Sequence, residues 1–204
     1  MSDARPSCGP AAKTDGNLSG GLNGEIAVRV RTPGGTVFVK GLRQEHERAW
    51  TQQREADVAP ALLRHVQEAG WDLLAFEDIV GRQAVYVPGS DDHPLVVDVM
   101  TRLGEHQKPD IVMRSVPDRM KNHSPTPELF AGYMLLHTDW FPTNVLIAQD
   151  RAVLVDWALE TSYGAGWIDP ALWAVWLIRE GHTPPKAERW AFQVPAWATY
   201  RRMV

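Results

Sequence analysis

His137, Asp139 and Asn144 lie in one polar run, His-Thr-Asp-Trp-Phe-Pro-Thr-Asn, with Asn144 five positions after Asp139. Apolar runs at 135–136 and 145–147 flank it, and a further apolar run, 152–155, follows the turn 149–151 and ends on Asp156. Two apolar runs joined by a short turn read as a β-hairpin, so the polar loop and Asp156 are delivered to one place. Carboxylates and a carboxamide are hard oxygen donors. Such a set suits Mg²⁺ on a phosphate chain, with one carboxylate left to orient a hydroxyl.

Two earlier features can serve the same chemistry. The glycine-rich stretch 20–24, which includes Gly21, precedes an apolar alternation, and backbone N–H groups in such a turn can cradle phosphates. The Walker-type ending Gly-Lys-Ser/Thr is absent. Lys40 closes the apolar run 36–40, and a charged stretch with helical character follows over 44–58. A strand lysine paired with a helix glutamate is the ion pair that sets a lysine on nucleotide phosphates. Glu55 lies on that stretch, with Glu45 and Glu47 as rivals.

The elements that would position these residues follow from periodicity. Ile26, Val28 and Val30 alternate with polar or small residues and predict a strand over 25–31. The turn 32–35 leads to a second strand, 36–40, giving an antiparallel hairpin. Residues 61–69 read as helix with Gly70 as its stop. Residues 71–77 and 84–87 read as strands, and 93–103 as helix, although the β-branched run there also suits a strand. The stretch 105–127 reads as a long connection and 157–167 as a loop. Asp169-Pro170 predicts a helix start with Asp169 as N-cap. The run 171–178 is apolar on all faces, which predicts a buried helix. Thr183-Pro184 repeats the start signal for a last helix that Pro195 kinks or splits.

Composition bounds the class. With 44% hydrophobic and 23% charged residues the chain reads as an ordinary globular protein, and a net charge of −4 argues against a nucleic-acid partner. Cys8 is the single cysteine, so no internal disulfide forms. No apolar run approaches the roughly 20 residues of a membrane helix, and no secretory h-region is present, so a cytoplasmic protein without a membrane partner is expected. Residues 1–20 lack periodicity and predict a disordered tail. Most of the nine tryptophans fall in the second half, which predicts a helical core there.

The form His137-x-Asp139 followed by Pro142-x-Asn144-Val145-Leu146 resembles the catalytic loop of the aminoglycoside phosphotransferase and choline kinase branch of the protein-kinase-like fold. Asp156-Trp157 is similar to the metal-binding aspartate of that branch, and Ile168-Asp169-Pro170-Ala171 to a motif that follows it. The glycine-rich turn departs from the kinase glycine pattern.

The resemblance implies a two-lobed α+β fold. It would have a disordered tail over 1–20, a β-rich nucleotide-binding lobe over 21–88, and a mainly helical, shortened C-terminal lobe over 89–204. It implies ATP and Mg²⁺ as cofactors and a small-molecule hydroxyl as acceptor. Asp139 would accept or orient the acceptor's proton, and Asn144 and Asp156 would hold Mg²⁺. Lys40 would contact the α- and β-phosphates, steadied by Glu55. Gly21 would lie in the phosphate turn, and backbone groups from Phe76 to Asp78 would meet the adenine. His137 reads as a packing and hydrogen-bonding residue, and Asp169 can brace the loop as well as cap its helix. Thr138 stands where kinases controlled by activation-loop phosphorylation carry arginine, so no such control is expected.

Two other readings compete. One is a kinase-like nucleotide-binding or regulatory protein with little catalysis. The other is a metal-dependent hydrolase using His137, Asp139 and Asp156, which leaves Lys40 and Asn144 without a role.

Overall fold

A computed structural model of the chain describes residues 13–17, 26–43, 58–106, 115–157 and 161–202. The chain packs as two units, Met1–Arg48 with Leu62–Asp78, and Ala49–Ala61 with Ile79–Val204.

The first unit is an antiparallel sheet of Lys13–Asn17 (β1), Ile26–Thr32 (β2), Gly35–Arg43 (β3), Leu62–Glu68 (β4) and Trp71–Glu77 (β5), in the order β1-β2-β3-β5-β4. The expected hairpin is β2–β3, with Val28 opposite Val39 and Ala27 opposite Lys40. Leu42, Leu74 and Phe76 are buried.

Two expectations change here. The tail predicted as disordered contributes β1, which pairs with β2; backbone pairing at a sheet edge needs no apolar alternation. The predicted helix 61–69 is instead β4, an edge strand. Leu62 and Val66 stand four apart, and that spacing satisfies both the helical period and the period of two. Gly70, read as a helix stop, is the second left-handed residue of the β4–β5 turn, with φ 51° at Ala69 and 79° at Gly70. Two successive positive φ values make the tight hairpin turn that matches strand twist.

The second unit is mainly helical. Its elements are Arg82–Gln83 (β6), Asp92–Glu105 (α1), Val116–Met120 (α2), Met134–Leu136 (β7), Val145–Ala148 (β8), Arg151–Leu154 (β9), Thr161–Gly164 (β10), Ile168–Arg179 (α3) and Pro184–Ala191 (α4). Short 3₁₀ turns occupy Pro127–Phe130, Pro142–Asn144 and Pro195–Arg202. Strands β6, β8 and β9 form one small sheet, and β7 pairs with β10.

On α1, Val96, Val99, Met100 and Leu103 are buried at helical spacing, which resolves the helix-or-strand ambiguity of 93–103. They meet Trp140, Leu154, Trp173 and Leu177 in the main core. Ala84 and Tyr86 enter this core, so 79–88 packs with the second unit.

The predicted strand 84–87 is irregular chain. Ala84 N–H donates to the Val145 carbonyl, and Val85 N–H donates instead to the Asp92 carboxylate at 2.8 Å. The same carboxylate accepts both terminal nitrogens of Arg82 at 2.6 Å. That guanidinium holds the Asp92 carboxyl below the ordinary carboxylate range, against the effect of burial.

The connection 105–127 contains α2, whose N-cap Ser115 accepts the Asp118 N–H. The loop 157–167 contains β10. Helix α3 is buried on one side only, since Val175 is 62% and Ile178 42% exposed. The last helix is split as expected, into α4 and the turn that Pro195 begins.

In the first turn of α1, the fully buried ring of His93 lies 5.0 Å from His182 and 4.9 Å from Trp190. Burial pushes the His93 imidazole below its ordinary value of 6.5. Folding therefore disfavours the protonated ring, while the unfolded chain takes up a proton as pH falls through 6.5. Its contribution to stability is present above that value and is lost as pH falls toward the folded pKa, by up to about 1.4 kcal/mol per unit. Urea midpoints between pH 7.5 and 5.5 should fall less steeply for His93→Phe than for the parent.

Candidate active site

β7 carries Leu135 and Leu136 into the core, and the chain then turns out through His137, Thr138 and Asp139. The turn is held from below by α3. The Asp169 carboxylate accepts the backbone N–H of His137 through Oδ2 and of Thr138 through Oδ1, both at 2.9 Å. Asp169 is therefore not the N-cap of α3. It is the second helical residue, and Trp167 holds the cap position without a side-chain bond. Burial pushes the Asp169 carboxyl above its ordinary range, and the hydrogen bonds it accepts oppose that shift.

His137 is fully buried, with Trp157 at 4.8 Å and Trp140 at 5.9 Å between ring centroids. Its Nδ1 accepts the Asp139 N–H at 3.3 Å. A backbone N–H can only donate, so the ring proton is on Nε2, which donates to the Val155 carbonyl at 3.0 Å. Burial lowers its pKa. Both ring nitrogens are engaged and the ring is neutral, so His137 neither shuttles a proton nor ligates a metal in this arrangement.

Asn144 ends the 3₁₀ turn and is nearly buried. Its N–H donates to the Phe141 carbonyl, and its own carbonyl accepts the Val155 N–H. With Val145 opposite Leu154 in the β8–β9 hairpin, the loop is joined to the strand that leads to Asp156. The Asn144 amide Nδ2 donates to the Asp139 carbonyl at 3.4 Å. Oδ1 accepts the Thr143 hydroxyl at 3.4 Å and keeps a second lone pair for a cation.

Of the four non-glycine residues with positive φ among the described residues, Ala69 and Gln149 sit in hairpin turns, while Thr138 and Asp156 (both 61°) flank this site. Of the two, Thr138 is the strained one, since a β-branched residue disfavours left-handed backbone that Asp tolerates. Among the described residues no three His, Cys, Asp or Glu side chains gather into a metal cage. The oxygen donors Asn144 and Asp156 fit Mg²⁺, which takes few protein ligands and completes its shell with phosphate oxygens and water. They do not fit zinc, which prefers nitrogen and sulfur.

In the first unit, Lys40 lies in β3, half-buried, opposite Ala27 and Leu74. Phe76 is paired on both sides, to Phe38 and Leu62. Asp78 lies just beyond β5, and its carboxylate accepts Arg29 Nε at 2.7 Å. Gly21, Glu55, Glu45 and Glu47 lie outside the described residues.

The sequence reading missed Arg119. It lies on α2 and donates to the Thr138 hydroxyl at 3.1 Å. The signal was present as Ser115-Val116-Pro117-Asp118, a cap residue with proline in the first turn and an acid three positions on.

A β-sheet unit followed by a mainly helical unit with this loop is a protein-kinase-like α+β fold, and solved structures carry the same fold. Choline kinase LicA from Streptococcus pneumoniae is similar with TM-score 0.57 and 10% identity, covering 95% of this chain and 86% of that one. A putative fructosamine-3-kinase from Haemophilus somnus 129PT gives TM-score 0.56 and 11% identity over 94% of this chain and 86% of that one. LicA in complex with AMP gives 0.58 and 12% over 91% and 76%. No protein-family model matches the sequence, and no curated protein sequence does.

Proposed function

We propose that the chain is an ATP- and Mg²⁺-dependent phosphotransferase that moves the γ-phosphoryl group to a hydroxyl of a small molecule. The observation that carries this reading is the loop 137–144. Asp169 clamps its backbone, and hydrogen bonds join it to the strand leading to Asp156. The small-molecule kinases of the same fold support it, one of them in complex with AMP.

In this account Asp139 orients the acceptor hydroxyl and takes its proton as the oxygen–phosphorus bond forms and the bond to the ADP oxygen breaks. Asn144 Oδ1 and the Asp156 carboxylate would hold Mg²⁺, which when bound neutralises charge on the phosphate oxygens. Lys40 is assigned the α- and β-phosphates with Glu55 as its partner, Gly21 the phosphate turn, and the backbone from 76 to 78 the adenine edge. A cytoplasmic location is part of the same proposal, since ATP is abundant there. No helix among the described residues is long and apolar enough to cross a membrane.

Thermal-shift titration checks the nucleotide half. Mg²⁺-ATP at one hundred times its Kd should stabilise the chain by about 2.7 kcal/mol. EDTA or Asp156→Ala should remove most of that shift. A shift that persists through both would contradict the metal assignment. Binding without turnover on any acceptor would favour a regulatory protein instead.

A further inference from the structure

Beside the loop, the second unit holds a cavity of about 280 Å³ between α2, the turn Pro127–Phe130 and the start of α3. Most of its wall is apolar. Phe130 and Trp167 form an aromatic side, with ring centroids 5.5 Å apart, and Met120, Leu172 and Val175 continue it. The polar end is Arg119 and Thr138, bonded to each other. Thr138 immediately precedes Asp139, so that end stands one residue from the carboxylate assigned to the hydroxyl. Among the described residues, no Asp or Glu lines the cavity.

We propose that this cavity is the acceptor subsite, and that it takes a neutral or anionic hydroxylated molecule with an apolar, ring-sized body. The assignment rests on the phosphotransferase reading and narrows its substrate class. The volume lies at the small end of ligand sites and suits one substituted ring. An apolar ring gains by leaving water against Phe130 and Trp167. A cationic amine would lose its hydration, find no carboxylate among the described residues of the wall, and meet a guanidinium at the polar end.

The test is equilibrium binding to the full chain by calorimetry and ligand-observed NMR. The probes are benzyl alcohol and 4-(hydroxymethyl)benzoate, against choline and kanamycin. The benzyl probes should bind more tightly than either amine. Val175→Trp, at an exposed position on the rim, should weaken them by about tenfold or more. Arg119→Gln should weaken the benzoate more than the alcohol. Tighter binding of choline or kanamycin, no binding of the benzyl probes, or equal binding to Val175→Trp would each overturn the assignment. Because binding is read without turnover, the two readings fail separately. Benzyl probes that bind while no acceptor yields ADP would sink the phosphotransferase reading and leave the cavity's ligand class standing. ADP formed with kanamycin alone would do the reverse.

Discussion

Asp139→Ala is expected to lower the rate of phosphoryl transfer by about 10²–10⁴, the range that a positioned general base contributes. The fold should survive the change, because what fixes the loop at this position is backbone. The Asp139 N–H donates to His137 Nδ1, and the Asp139 carbonyl accepts Asn144 Nδ2. Alanine keeps both groups and removes only the carboxylate. Nucleotide-induced stabilisation should therefore remain while kcat collapses, and Asp139→Asn should fall between the two, since it can orient a hydroxyl but not take its proton. Steady-state kinetics beside a thermal-shift titration separate these effects. Loss of nucleotide binding along with kcat would mean that Asp139 holds the fold or the metal.

Asp169→Ala should have the larger effect on stability. It leaves the buried N–H of His137 and the part-buried N–H of Thr138 without their acceptor, the second at the lower end of the cost. Each orphaned group costs about 1–3 kcal/mol. Against this, the ionised carboxylate itself resists burial, as the upward shift of its pKa shows, and removing it returns part of the cost. A net loss of about 2–4 kcal/mol is expected, a large share of a typical domain's stability. Thr138, held at φ 61°, would lose its clamp, so kcat should fall as well. Asp169→Asn retains one oxygen acceptor and should recover part of both losses. Urea midpoints and kcat measured on the same preparations check this. A variant with unchanged stability and rate would show that the loop holds its shape without α3.

What the sequence revealed about the loop came from spacing. Asp139, Asn144 and the hairpin that leads to Asp156 are all local, and local pattern is what a sequence displays directly. The same holds for the β2–β3 hairpin, where the alternation of Ile26, Val28 and Val30 meets the apolar run 36–40 across a Pro-Gly-Gly turn. The failures have physical causes of two kinds. Some patterns serve two structures. Leu62 and Val66 fit a helix as well as β4, and Gly70 fits a helix stop as well as a hairpin turn. Other features depend on partners far along the chain. Asp169 looks like a cap because a cap is the local use of an Asp before a Pro. Its actual acceptor role belongs to residues 31 and 32 positions earlier. The Arg119–Thr138 bond, and the cavity beside it, arise the same way, from a segment that reads as connection because prolines and charges obscure its short helix.

Loop 137–144 is proposed to transfer a phosphoryl group to a small-molecule hydroxyl. Acceptor-dependent formation of ADP tests it most directly. Wild-type and Asp139→Ala protein would be compared with Mg²⁺-ATP over a panel of aromatic alcohols, hydroxylated amines, sugars and aminoglycosides. At least one acceptor should raise ADP formation in the wild type, phosphate should appear on that acceptor's hydroxyl, and EDTA and Asp139→Ala should both suppress it. Equal transfer by wild type and Asp139→Ala, or ADP formation that no acceptor stimulates, would contradict the proposal.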